Sequence, residues 1–310
     1  MPFERVAGKF AEDVWRVMGN RSKIVLATAS VACAVLVWAL ARWFGIPAYP
    51  GYEMSLALQP SAAPALIGTG IAILAATALG TAIAGTVRFD AGLFAAAVGL
   101  AALSNRGGPM RYVLQAAPGR GVFVALAAEL LLLGATLGLA WFGLWLLYRR
   151  GRLLGDEMRD GLKDRPHSLG DRASALAAQA GATAFLIVLL ARTDDKKQVM
   201  AAVCLASFLA TLLAYAASPA RPSVCFWAGP LVVGIAGYAA AYLMWNSTDP
   251  VVWKSGQGGG FLAPLARPLP LDYASLGTAG ALAGYWTSRQ WQRAKELESE
   301  AGNAASGATP

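Results

Sequence analysis

A chain of 310 residues that is 56% hydrophobic and only 14% charged is too apolar for an ordinary water-soluble domain, in which charged residues alone make up about 25%. The net charge of +8 fits a membrane protein whose basic loops stay in the cytoplasm and face anionic lipid. The bilayer is therefore the expected partner, and nucleic acid is not.

Residues 1–23 open with Phe3, Val6, Ala7, Phe10, Val14, Val17 and Met18 on one face of a helix and with charges on the others. That pattern predicts a cytoplasmic amphipathic helix lying in the headgroup boundary. Eight apolar stretches follow, at about 24–41, 64–87, 89–103, 121–148, 173–191, 199–217, 225–245 and 273–287, each bounded by charges, aromatics or prolines. A hydrocarbon core about 30 Å thick demands stretches of this kind. The fold class is thus all-α, a polytopic membrane helix bundle of about eight transmembrane helices. It would have seven if the first were cleaved as a signal peptide after Ala39-Leu40-Ala41, a small-x-small pattern.

Only Arg88 and its neighbours separate the second and third spans, which predicts a tight hairpin. With the N-terminus inside, cytoplasmic segments carry 17 of the 26 Lys and Arg residues, so both termini are expected in the cytoplasm. The organisation is then the N-terminal helix (1–23), a four-span half (24–148), a basic cytoplasmic loop (149–172), a second four-span half (173–288), and a helical extension with a disordered tail (289–310). The two halves would suit a duplicated transporter, but no repeat can be aligned between them.

Charges inside spans are costly, about 2.5 to 3.5 kcal/mol for Asp at the centre on insertion scales, so each marks a functional hypothesis. Glu129 lies eight residues into the fourth span, roughly 12 Å from its start. On a helical wheel it shares a face with Val122, Ala125, Thr136, Ala140 and Gly143, which predicts that it points into the bundle. There it is either a binding or coupling carboxylate or a hydrogen-bonded structural group. Gln179 in the fifth span is its candidate polar partner.

Asp90 and Asp272 stand where helix N-caps are expected. Arg106, Arg111 and Arg120 crowd an outer loop and form a candidate anion-binding group, or simply snorkelling anchors. The Gly- and Pro-rich stretch 246–272 reads as a flexible outer lid. Its glycines lack the Lys-Ser/Thr of a phosphate loop.

No HExxH, GxSxG, Walker A or paired intramembrane acids occur. His167, the one histidine, stands alone in the central loop. Cys33, Cys204 and Cys225 lack ligand spacing. Neither metal nor cofactor is implied, and no catalytic residue can be named, so the reading leans away from an enzyme; one that acts on a lipid-linked substrate at the outer face through the outer arginines is the third alternative.

Small residues four apart are abundant: Ala76, Gly80 and Ala84; Ala95 and Gly99; Gly134 and Gly138; Ala177 and Gly181; Gly277 and Ala281; Gly280 and Gly284. They predict close helix packing, and the short third and eighth spans are expected to be shielded within the bundle or by another subunit. The leading expectation is a non-catalytic subunit or scaffold of a membrane complex, with a membrane-protein partner or a homo-oligomer. The alternative is a small-solute or lipid transporter that uses Glu129 as an intramembrane carboxylate.

Overall fold

The computed structural model describes residues 20–44, 55–117, 119–150, 168–219, 223–244 and 260–306, with side chains to residue 296. The predicted amphipathic helix before Asn20, most of the central loop with His167, and the stretch 245–259 lie outside the described residues. Those described form helices throughout: α1 (Asn20–Trp43), a 3-10 turn (Leu56–Leu58), α2 (Ala62–Ala84), α3 (Ala91–Ser104), the short α4 (Met110–Ala116) and α5 (Gly121–Arg149). Then come α6 (Leu169–Leu190), α7 (Lys196–Ala217), α8 (Val224–Met244), a 3-10 segment (Gly260–Ala266), an opening turn (Pro270–Asp272), a π-helical turn (Tyr273–Gly277) and α9 (Thr278–Ser306).

Six helices, α1, α2, α5, α6, α7 and α8, are long and apolar enough to cross a membrane. Their outward faces explain what surrounds them. Ile24, Val31 and Val35 on α1, Leu131, Leu132 and Leu139 on α5, and Phe185 on α6 are each more than half exposed. Apolar surface of that extent is stable against lipid and not against water. The chain is an all-α, multi-pass membrane bundle.

The two short spans sit inside, as expected. In α3 the residues Ala91, Leu93, Ala95, Ala96, Ala97 and Leu100 are completely buried, and from Asp272 to Arg289 nearly every side chain is buried. Packing runs through three clusters: α1, α2 and α3 against one another, α7 against both α6 and α9, and α5 against α8 and α2. The π-turn contacts α3, α5, α7 and α8 at their junction. α1 is an integral member of the first cluster, with the Cys33 thiol donating to the Ala76 carbonyl at 3.1 Å.

Four local expectations change. The final helix runs on to Ser306, well past the expected start of a disordered tail. The buried face of α5 is wider than the small-residue stripe: it is Val122, Phe123, Leu126, Glu129, Leu130, Leu133, Leu137, Ala140 and Leu144, so Phe123 faces in and Gly143 meets nothing.

Asp90 occupies the N-cap position of α3 but makes no side-chain cap bond. Its carboxylate instead accepts from the Trp286 indole N–H at 2.8 Å, because α9 brings that ring within reach. Finally, the described end of the Gly/Pro stretch is not a lid. Ala263, Leu265, Ala266, Arg267 and Leu269 are buried, and the Leu265 carbonyl lies where a Cβ on Gly237 would be 2.6 Å away. Gly237 is seven residues before the end of α8, roughly 10 Å down the helix, so the segment re-enters the bundle. Non-helical backbone is tolerated at that depth only with its polar groups satisfied by protein. Here the Tyr273 hydroxyl donates to the Leu265 carbonyl at 2.6 Å, the Tyr238 hydroxyl donates to the Pro268 carbonyl at 2.5 Å, and Arg267 donates to the Ala191 carbonyl.

Candidate functional site at one end of the bundle

Hydrogen bonds join Ser55, before α2, to Glu129 near the start of α5, and tie Ser104 at the end of α3 and Lys196 at the start of α7 to Asp272 before α9. These helix ends therefore gather at one end of the bundle, opposite the end that carries Asn20. At that first end, called here the pocket end, the fold gathers polar groups that are distant in sequence.

Ser55 precedes the 3-10 turn. Its hydroxyl donates to Glu129 Oε2, and the Ala57 N–H donates to the same oxygen at 3.0 Å. Glu129 thus anchors the start of the turn, supplying an acceptor for an N–H that a one-turn helix leaves open. The side chain is buried, as expected, with 1% of its surface exposed. Its other oxygen, Oε1, has no hydrogen-bond partner among the described residues, and neither has Gln59 Oε1.

Both side chains line one small cavity, together with Ser55, Ser104, Lys196, Leu103, Gly107 and three leucines from the 3-10 turn and the segment before the π-turn. Its volume is about 20 Å³, room for roughly one water.

On the cavity's other side Lys196, the first residue of α7, places Nζ 2.7 and 2.8 Å from the two oxygens of Asp272. Asp272 also accepts from the Ser104 hydroxyl and, at 2.8 Å, from the Leu269 N–H. It is the third residue of the turn that Pro270 opens, so it reaches back to the cap position instead of occupying it. Burying this pair is tolerable because both carboxylate oxygens are hydrogen-bonded. The Lys196–Asp272 pair is neutral. Glu129 therefore determines the net charge of the cavity, and an ionised Glu129 leaves it at minus one.

Beside this site lies a second charged group. Asp194 accepts from the Arg111 N–H at 3.2 Å and feels the charges of Arg111 and Arg267. Burial pushes the Asp194 carboxyl above its ordinary value, an effect that the Arg111 N–H and the two guanidinium charges oppose. Burial likewise lowers Arg267, and Asp194 counters that.

Of the residues singled out from sequence, only Glu129 belongs to the cavity. Gln179 is completely buried, but its Nε2 faces the Thr211 hydroxyl at 3.5 Å and its amide packs on Gly229, so the expected pairing with Glu129 gives way to Ser55 and Ala57. Arg111 is engaged with Asp194, and its guanidinium lies 5.1 Å from the centre of the Tyr112 ring. Arg106 is half-buried just after α3, and Arg120 is exposed just before α5.

Sequence reasoning missed Lys196, Asp272, Ser55, Ser104 and Gln59. The available signal was parity: the segments that open the sixth and eighth spans, with a Lys in one and an Asp in the other, must lie at the same end. Among the described residues no group of three or more His, Cys, Asp or Glu side chains is placed to hold a metal ion. No protein-family model, no curated protein and no solved structure matches the chain.

Proposed function

We propose that this multi-pass membrane protein is a small-solute transporter, oriented with its two termini in the cytoplasm, in which Glu129 is the coupling carboxylate. The observation that carries the reading is the buried, partly unpaired Glu129 facing a cavity that is also lined by Lys196, whose ammonium is paired with Asp272. A carboxylate in that setting carries a large cost unless a proton or a cation joins it, and that is the property a coupling site uses. The cavity is too small for a metabolite, so Glu129 binds the coupling ion and the solute must be accommodated in another conformation. A re-entrant segment and a π-turn beside the site supply irregular backbone of the kind that lines transport sites.

The test is reconstitution into liposomes and uptake of a panel of labelled amino acids, organic acids and sugars under imposed proton or sodium gradients. At least one solute is expected to accumulate, and Glu129→Gln to abolish the gradient-driven part. Absence of any gradient-driven flux, or full flux in Glu129→Gln, would remove the reading.

A second reading, a subunit or scaffold of a membrane complex, is favoured by one observation. Gly138 on α5 and Gly181 on α6 have nothing within 4 Å of where a Cβ would stand. Small-residue steps left open on lipid-facing helices are where another helix can approach. Against it stand the polar groups held inside the bundle, since Glu129, Asp272, Asp194, Arg267, Gln179 and Thr211 are all buried.

A further inference from the structure

From the cavity between Glu129 and Gln59 we infer a binding site for a single small monovalent cation of the sodium class. The inference deepens the transport reading by naming the coupling ion. Two acceptor oxygens, Glu129 Oε1 and Gln59 Oε1, belong to side chains more than nine-tenths buried, line the same cavity, and have no hydrogen-bond partner among the described residues. Buried acceptors are ordinarily satisfied, and two around one void of about 20 Å³ call for an occupant that is a donor or a cation.

Chemistry narrows the choice. Carboxylate and amide oxygens are hard ligands, suited to alkali and alkaline-earth ions and not to soft metals. Charge then selects the valence. Lys196 is fully answered by Asp272, so one negative charge remains, which a monovalent ion cancels and a divalent ion overshoots beside an ammonium group. The Ser55 hydroxyl and the Ala57 N–H both engage Oε2, which leaves Oε1 as the Glu129 oxygen open to the ion. The volume, about 20 Å³, has room for one ion stripped of most of its water.

The experiment uses the full chain in detergent or nanodiscs. Binding of radiolabelled sodium and the thermal unfolding midpoint are measured in sodium chloride against choline chloride at equal ionic strength. Saturable sodium binding near one per chain is expected, with a sodium-dependent rise in the midpoint. Glu129→Gln and Gln59→Leu should each weaken binding by about tenfold or more, the scale of one charge-assisted contact. Exposed Lys197→Ala, at the same end of the bundle, should leave it unchanged.

Should either variant fail to fold, Gln59→Glu gives an independent reading. A second carboxylate should tighten divalent cations relative to sodium. Absence of sodium binding, or a midpoint that responds to acid alone, would mean that Glu129 takes a proton and overturns the inference. Gradient-driven uptake without sodium binding would leave the transport reading standing; sodium binding without any flux would do the reverse.

Discussion

At Lys196 and Asp272 the physics of a buried ion pair gives a prediction that exposed pairs do not. Lys196 is 13% exposed and Asp272 1%, so removing either leaves a charge buried without its partner, a loss of about 3–5 kcal/mol. Lys196→Met should therefore lower the unfolding midpoint sharply. The double variant Lys196→Met with Asp272→Asn should recover part of that loss, since the amide still accepts from Ser104 or Leu269. If the two losses simply add, the pair is not coupled as its geometry implies.

Asp194 yields a prediction in pH. Its folded carboxyl titrates above the ordinary value, so folding favours the protonated form. The stability this contributes is complete below the unfolded value of about 3.9 and is lost as pH rises through the folded one. Relative to the wild type, Asp194→Asn should gain stability as pH rises over that window and show no further change above it. The slope is the readout, because loss of the charge facing Arg111 and Arg267 displaces the whole curve. A constant difference between the two proteins would mean that Asp194 does not titrate on the raised side.

Among the elements, the glycines separate packing contacts from open surface. At Gly280 an added methyl would run into the Cys204 carbonyl of α7, and at Gly284 it would stand 2.6 Å from the Phe208 carbonyl. Backbone cannot yield there as a flexible side chain can, so Gly280→Ala should cost about 1–3 kcal/mol by forcing α7 from α9. Gly138 and Gly181 face nothing, and alanine at either should be neutral or stabilise by up to about 1 kcal/mol, the helix-propensity difference. Unfolding in detergent compares the four directly. Equal effects would contradict the packing described.

The spacing of small residues announced all these positions alike, which marks what was legible in the sequence. Periodicity and charge distribution carry which stretches are helices and which short ones are buried, because a bilayer imposes those constraints residue by residue. Which small-residue face meets another helix depends on tertiary pairing, and no local pattern encodes it. The site has the same limit. Glu129 stood out because a charge within an apolar run is costly. It sits eight residues into α5, a helix of 29 residues, roughly 43 Å long. At that level Lys196, which opens α7, lines the same cavity. Ser55 and Gln59 sat in what read as a connection, with no periodicity to flag them.

For the whole molecule, the arrangement of ends decides which compartment sees the cavity. Helix order puts Ser55, Ser104, Lys196 and Asp272 at the end opposite Asn20, and on the orientation proposed above, with the termini in the cytoplasm, the Asn20 end faces inwards. The cavity should then open towards the outer side. Single cysteines in a background with Cys33, Cys204 and Cys225 replaced by Ala report this directly. Lys197→Cys, exposed at the pocket end, should react in intact cells with a membrane-impermeant maleimide. Arg150→Cys, exposed just beyond α5 at the other end, should react only once the membrane is permeabilised. The reverse pattern would keep the fold and the cavity but place the cavity on the cytoplasmic side.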